Sequence, residues 1–368
     1  MHEKLRLTMA RDYKLHRAKP VSASGIDYAK ELNEEQFRAV TSPPGKALVI
    51  AGAGSGKTRT LTYRVSWLLD RGENARNILL LTFTNKAARE MVERVRSLVS
   101  GDVTDLWAGT FHSICNRILR RHAEEIGFTK SFSILDRDDQ KSLMNAVVTA
   151  CNIDTKVRRF PKPDVLISMF SLMSNTAADL RGVLHARYPY FVDWEDELET
   201  VRAGYAKRKR DTNSLDFDDM LVMAVELFKT HPDVLEIYRK RFRNILVDEY
   251  QDTNSVQSEL IDLLAGDSNS LMAVGDDSQS IYSWRGAEVD HILNFQRRYP
   301  DSVIHTIETN YRSVPEILEL SNAAISANTM RYEKTCGLRG RRSVPSRRWW
   351  RWKTPPRRRF SLRSGCWS

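Results

Sequence analysis

The sequence predicts an α/β fold, a parallel sheet covered by helices on both faces and interrupted by a helical insertion. Three observations carry that prediction. Short apolar runs alternate with segments whose apolar residues recur at helical spacing. A glycine-rich loop joins the first such run to the first such segment. Between about residues 116 and 211 the strand signal nearly vanishes while helical periodicity continues. Strands buried on both faces read as continuous apolar runs, which is the pattern of a parallel sheet.

Residues 1–30 lack periodicity and carry scattered Lys and Arg, so they read as a poorly ordered leader. The first strand is Ala47-Leu48-Val49-Ile50. After the glycine loop, Leu61, Val65, Leu68 and Leu69 mark one helix face. Ile78-Leu79-Leu80-Leu81 is a second strand, followed by a helix whose face holds Ala88, Met91, Val92, Val95 and Leu98; a third strand spans 106–110. Further strands fall at Ile245-Leu246-Val247, Leu271-Met272-Ala273-Val274 and Val303-Ile304. Within the helical insertion, 140–150 and 194–206 are the clearest helices, and Lys207-Arg208-Lys209-Arg210 reads either as a solvated helix end or as a contact to phosphates.

Composition limits the function classes. A chain of 368 residues exceeds one ordinary core and fits about two or three domains. No apolar stretch approaches the roughly 18 residues of a membrane helix, so no membrane partner is expected. The basic N-terminus lacks the apolar centre of a secretion signal, and Cys115, Cys151, Cys336 and Cys366 show no disulfide spacing, which together point to the cytoplasm. The net charge of +10 is misleading, because residues 335–368 hold ten Arg and one Lys with no acid. The remainder, 46 basic against 47 acidic residues, is neutral. Any nucleic-acid assignment must therefore rest on motifs. The basic, Trp-rich tail reads either as an out-of-frame stretch or as a nucleic-acid-binding appendage.

The chemistry begins at Ala51-Gly52-Ala53-Gly54-Ser55-Gly56-Lys57-Thr58, which follows a strand and opens a helix. Small residues let successive N–H groups approach phosphate oxygens, and the helix N-terminus adds a favourable dipole. Lys57 suits the β- and γ-phosphates of ATP, and Thr58 suits Mg²⁺. Ala51 stands where the strict pattern has Gly. Such a loop requires a distant acid at a strand end, and Asp248 fits the Mg²⁺ role, with Glu249 beside it placed to accept a proton from attacking water. No His/Cys cluster has zinc spacing.

Around these residues the sequence resembles the UvrD/Rep/PcrA-like superfamily I DNA helicases. Asp248-Glu249-Tyr250-Gln251-Asp252-Thr253-Asn254 is similar to the family's Walker B block, with Tyr250 where Phe is more usual. Leu32-Asn33-Glu34-Glu35-Gln36 resembles the Q motif. Thr82-Phe83-Thr84-Asn85-Lys86-Ala87-Ala88 resembles motif Ia, and Gly109-Thr110-Phe111-His112-Ser113 motif Ib. Leu215-Asp216-Phe217-Asp218-Asp219-Met220 matches a further block, to whose carboxylates no chemistry is assigned. The run from Val274-Gly275-Asp276 through Gln279, Tyr282, Trp284, Arg285 and Gly286 is similar to motif III, and Thr309-Asn310-Tyr311-Arg312-Ser313 to motif IV.

The resemblance spans about residues 30–334 and implies a RecA-like phosphate-loop NTPase fold. Its implied parts are a first ATPase domain (31–115 and 212–289), an inserted helical subdomain (116–211), the start of a second RecA-like lobe (290–334) and an atypical tail (335–368). It implies an ATP-dependent DNA helicase moving 3′-to-5′ on single-stranded DNA and acting on 3′-tailed duplexes. In this reading Gln36 reads the adenine edge, with Arg59 and the stacking Tyr311 beside it. Gln279 senses the γ-phosphate and Arg312 acts as an arginine finger. Phe83, Asn85, His112, Tyr282, Trp284 and Arg285 lie on the DNA path, though His112 equally suits a helix cap and Phe83 a buried strand end. Family motifs V and VI are absent, so the chain reads as the N-terminal part of such a helicase; the alternatives are an ATP-dependent single-stranded DNA-binding module without unwinding, and the motor portion of a RecB/AddA-type helicase-nuclease.

Overall fold

The computed structural model describes residues 25–338 apart from 100, 154–158, 284–285, 329–330, 333 and 335–336. Trp284, Arg285, residues 1–24 of the leader and nearly all of the tail therefore lie outside the described residues.

Six parallel strands form the central sheet: β1 (Lys46–Ala51), β2 (Ile78–Thr82), β3 (Trp107–Thr110), β6 (Asn244–Val247), β7 (Ser270–Gly275) and β8 (Val303–Ile307), in the order β3-β2-β6-β7-β1-β8. Alternation along each strand divides its side chains between two cores. Leu48 and Ile50 of β1 face one core and Ala47, Val49 and Ala51 the other. The second core is closed by α3 (Lys57–Asp70) and α4 (Asn85–Leu98), through Leu61, Val65, Met91 and Val95. The first is closed by α5 (Phe111–Leu119), α10 (Phe217–Thr230), α11 (Pro232–Arg241) and α12 (Ser255–Ala265). Local signals agree with these boundaries: Thr84 caps α4, Thr110 caps α5, and Asn254 with Gln257 forms a capping box on α12.

The inserted helices α6 (Arg137–Ala150), α7 (Pro163–Thr176), α8 (Leu180–Arg187) and α9 (Glu195–Asp211) bury a third core around Met144, Leu166, Met169, Leu184, Leu198 and Val201. A short parallel pair, β4 (Ser133–Ile134) with β5 (Ser214–Leu215), joins the entry and exit of the insertion.

Three expected boundaries move. The leader is shorter than read: from Asp27, which caps α1 (Tyr28–Glu31), the chain is fixed, and the Tyr28 hydroxyl donates to Asp70 at 2.6 Å. The helix α2 (Glu34–Val40) follows with its own capping box from Asn33 and Gln36. The insertion begins later than 116, because Ile118, Leu119, Ala123, Phe128 and Phe132 all pack in the sheet's own core. Finally, no separate lobe opens at 290. The short helices α13 (Asp290–Leu293) and α14 (Phe295–Arg298) place Ile292 and Phe295 in that same core, and β8 pairs with β1 in parallel from Ala47↔Val303 to Ala51↔Ile307. β1 gains its second neighbour this way, and the sheet ends on β8. Beyond β8 a second, two-stranded parallel pair forms from β9 (Thr309–Asn310) and β10 (Gly337–Leu338), with α15 (Pro315–Ser326) between them in sequence.

The basic run at the end of α9 also reads differently in three dimensions. Lys209 is buried, and its ammonium donates to Asp216 at 2.7 Å and pairs with Asp219 at 2.6 Å. It cannot reach a phosphate. Removing one partner of a buried pair costs about 3–5 kcal/mol because the remaining charge is stranded. Lys209→Met, which keeps the side-chain bulk, is therefore expected to lower unfolding free energy by about that amount in urea; a loss below about 1 kcal/mol, the value of an exposed pair, contradicts the pairing.

Candidate nucleotide site and groove

β1 ends at Ala51 and the loop turns into α3, whose N-cap is Gly56 (φ +91°), a residue with no side chain to cap the helix end. The first N–H groups of such a helix have no intrahelical acceptor, which makes the loop an anion receptor. Gly54 and Gly56 are required here. Both have positive φ, a Cβ on Gly54 would stand 2.7 Å from the Arg312 Cβ, and one on Gly56 would stand 2.7 Å from the Gln36 Nε2. Ser55 is buried and its hydroxyl donates to the Gly52 carbonyl at 2.7 Å, which fixes the loop's curvature. Lys57, at the start of α3, points across to the acidic strand end and pairs with Glu249 Oε2 at 2.7 Å.

That acidic end is held from both sides. The Asp248 N–H donates to the Leu81 carbonyl at 2.9 Å, and Asp248 Oδ1 accepts from the Glu249 N–H at 3.1 Å. Burial, and then the adjacent Glu249 charge, push the Asp248 carboxyl up to about 7. The same causes raise Asp252 to about 6. Glu249 adopts a left-handed backbone (φ +49°), an uncommon conformation for a residue with a side chain, which aims its carboxylate at Lys57.

Gln251 continues the chain of contacts: its Nε2 donates to Glu249 Oε2 at 2.9 Å, and its Oε1 accepts from the Asp276 N–H at 3.0 Å. Asp276 in turn accepts from Gln279 and from Lys334. The ends of β1, β6 and β7 are thus joined through Lys57, Glu249, Gln251, Asp276 and Gln279. Among the described residues no cluster of three His, Cys, Asp or Glu could enclose a metal. A hard cation here would instead draw on Thr58, Asp248 and phosphate oxygens, the sparse protein set that suits Mg²⁺.

A cleft of about 410 Å³ beside the loop is lined by Asn33, Gln36, Gly54, Arg59 and Tyr311 among others. Gln36 is buried, its Nε2 donating to the Ser55 carbonyl at 2.9 Å and its Oε1 accepting from the Asn33 N–H. The Asn33 amide donates to the Tyr311 hydroxyl at 2.8 Å, and the exposed Arg59 lies over the Tyr63 ring and bonds to Glu31. Arg312 is exposed beside Gly54.

A larger groove, about 650 Å³, runs between the sheet and the insertion and is lined by Phe83, His112, Arg137, Asn175, Phe217 and Tyr282 among others. Phe83 is half-buried, not a core residue, and its ring stacks on Tyr282 at 5.2 Å. His112 meets the Phe217 ring edge-on at 5.9 Å, and burial lowers its pKa, favouring the neutral ring; the cap of α5 is Thr110, so capping is not its role. Asn85 lines an adjoining cleft with Arg89, Arg96 and Ser113.

Sequence reasoning did not single out four of these residues. Besides Gln251 and Asn33, Asn310 donates to the Ala53 carbonyl at 2.5 Å and accepts from the N–H groups of Arg312 and Ser313, clamping the glycine loop. Asn175, at the end of α7, donates to Asp218 at 2.9 Å and accepts from Asn254 at 2.6 Å, tying the insertion to the start of α12. Asn310 alone left a local trace, since Asn before a chain reversal commonly bonds to backbone N–H groups two or three residues on.

A six-stranded parallel sheet whose strand ends present a glycine loop, an acidic pair and a polar loop side by side defines a RecA-like helicase domain. The chain matches the family described as "UvrD/REP helicase N-terminal domain" over residues 32–300, and it belongs to that family. It is similar to proteins named ATP-dependent DNA helicase PcrA. It is 44% identical over 308 residues to that of Staphylococcus aureus strain Mu50, covering 82% of this chain and 41% of the relative. It is 43% identical over 306 residues to that of Staphylococcus epidermidis strain ATCC 12228, covering 83% and 41%. The chain thus spans well under half the length of these curated relatives.

The raised Asp248 value has a consequence for stability. The folded state holds this proton more tightly than the unfolded chain, so Asp248 subtracts stability as pH rises from about 4 to about 7. Asp248→Asn is therefore expected to exceed the wild type in unfolding free energy at pH 8 by a few kcal/mol, with the difference fading toward pH 4. Urea midpoints for both proteins across that range provide the check; a variant no more stable than wild type at pH 8 contradicts the burial argument.

Proposed function

We propose that this chain is the ATP-driven motor domain of a cytoplasmic DNA helicase that moves 3′-to-5′ on single-stranded DNA and opens 3′-tailed duplexes, with Mg²⁺ as its metal. One observation carries the reading. The glycine loop, the Asp248-Glu249 pair and the loop that enters the aromatic groove meet at the carboxyl ends of one sheet's strands and are linked by hydrogen bonds. Among the described residues no helix is long and apolar enough to cross a membrane.

The chain's own residues divide the work. The loop N–H groups and Lys57 hold the phosphates, and Gln36, Arg59 and Tyr311 hold the base. Thr58 and Asp248 would hold Mg²⁺, which would supply positive charge to neutralise the phosphoryl oxygens. Lys57 can reach a phosphate only by loosening from Glu249, so one event charges the phosphate site and frees the Glu249 carboxylate to take a proton from water. Gln251 passes the same event to Asp276 and to the loop carrying Gln279 and Tyr282. Tyr282 stacks on Phe83 inside the groove, so nucleotide state and grip on a strand share one short loop. Stacking of bases on such rings is indifferent to sequence. Trp284, Arg285, Asn85 and His112 complete the DNA contacts in this reading, and Arg312 stabilises charge on the γ-phosphate.

Lys57→Ala removes the one ammonium group facing this site from the loop. ATP affinity measured by titration should fall below detection, and DNA-stimulated phosphate release should drop by about 10²–10³-fold or more. Unchanged nucleotide affinity would overturn the assignment of the loop.

A further inference from the structure

The described residues carry a second basic feature that the nucleotide site and groove do not use. Trp107, the first residue of edge strand β3, is buried beneath three guanidinium groups: Arg117 with its Cζ 3.8 Å from the ring centroid, Arg241 at 4.9 Å and Arg121 at 5.0 Å. Each lies within range of attraction to the indole face. They come from two segments far apart in sequence, Arg117 from the last turn of α5, Arg121 from the turn just past it, and Arg241 from the end of α11. The C-terminal dipoles of both helices help to hold these charges together.

What the cluster lacks is an anion. Among the described residues none of the three arginines is within ion-pair distance of a carboxylate. Asp105 acts on Arg117 and Arg241 from farther away, and burial together with mutual repulsion keeps both below the ordinary arginine value. Arg117 and Arg121 are exposed and Arg241 is half-exposed. The bland account, a solvated helix end, fits one arginine; it does not explain three converging on a single buried ring.

The cluster is also continuous with the groove. Helix α5 begins there: His112 lines the groove and Ser113 lines the adjoining cleft with Asn85, Arg89 and Arg96. Arg117 stands one turn beyond Ser113 on the same exposed helix face, and Arg121 lies in the turn that follows the helix, its N–H bonded to the Ile118 carbonyl. The face that starts at Ser113 beside this cleft therefore passes Arg117 before it reaches the turn with Arg121.

We propose that Arg117, Arg121 and Arg241 around Trp107 form a phosphodiester-binding site that carries a nucleic-acid strand on beyond the groove. Arg121 also bonds to the Tyr238 side chain, and the guanidinium N–H groups that remain can donate to phosphate oxygens. Because the contacts go to the backbone, they add affinity without sequence preference. The inference rests on the reading of the groove as a strand-binding surface.

The test uses the full chain and fluorescent oligothymidylates of about 8 and about 20 nucleotides, the shorter filling the groove alone, with affinities measured across a salt titration. For the wild type, the longer strand should bind more tightly and with a steeper salt dependence. In the triple variant Arg117→Gln, Arg121→Gln, Arg241→Gln that extra slope should fall by about 2, from three lost contacts at about 0.7 each, while binding of the short strand is unchanged. The triple lysine variant should keep most of the slope. Equal slopes for the long strand in wild type and glutamine variant overturn the site. If the glutamine variant does not fold, the wild type decides alone, since equal slopes for its two strands also overturn it. Failure of the wild type to bind either strand instead overturns the groove reading beneath it.

Discussion

One ion pair, Lys57 to Glu249 at 2.7 Å, joins two loops that lie 192 residues apart in the chain, and the candidate chemistry depends on it. The pair exists because the parallel sheet sets β6, β7 and β1 side by side, so that their carboxyl ends open on one line. Both partners are placed by unusual backbone: a helix capped by a glycine with positive φ on one side and a left-handed Glu249 on the other. A cation drawn toward a phosphate from such a pair leaves behind a carboxylate ready to act as a base. In the proposed mechanism, binding and catalysis are two consequences of one displacement.

The same geometry joins the groove to the glycine loop and the acidic pair. β7 sits between the two halves of the ion pair, and its loop runs from Asp276, tied to Gln251, to Tyr282, stacked on Phe83. The insertion is held to this assembly at one polar node, where Asn175 bonds to both Asp218 and Asn254. Gly286 adds a backbone contact there, since a Cβ on it would stand 3.1 Å from that of Asn175. Groove, insertion and acidic loop are thus mechanically continuous.

The legible features were those encoded locally. The six strands could be read because each is a short run of buried apolar residues, and the glycine loop because its residue types are dictated by backbone approach. The break at 290 was misread because β8 repeats the signature of any other strand; only its pairing with β1 assigns it to the first sheet. Lys209 looked like part of a solvated charge run, since the carboxylates that bury it come seven and ten residues later and across a turn. Asn310 and Gln251 were missed for a related reason: their value lies in partners 257 and 25 residues away. Polar residues that join loops leave almost no periodic trace, whereas apolar residues that fill a core do.

The account turns on Glu249 being both the resting partner of Lys57 and the acceptor of a proton. Glu249→Gln separates these roles, because the amide keeps the size and can still accept a hydrogen bond but carries no charge and cannot serve as a base. ATP affinity and DNA-stimulated phosphate release measured on the same preparation test this directly. The account predicts nucleotide binding at least as tight as in the wild type, since Lys57 no longer has an anionic competitor, with turnover lowered by about 10²–10⁴-fold. Turnover close to that of the wild type, or affinity falling in parallel with turnover, would contradict it.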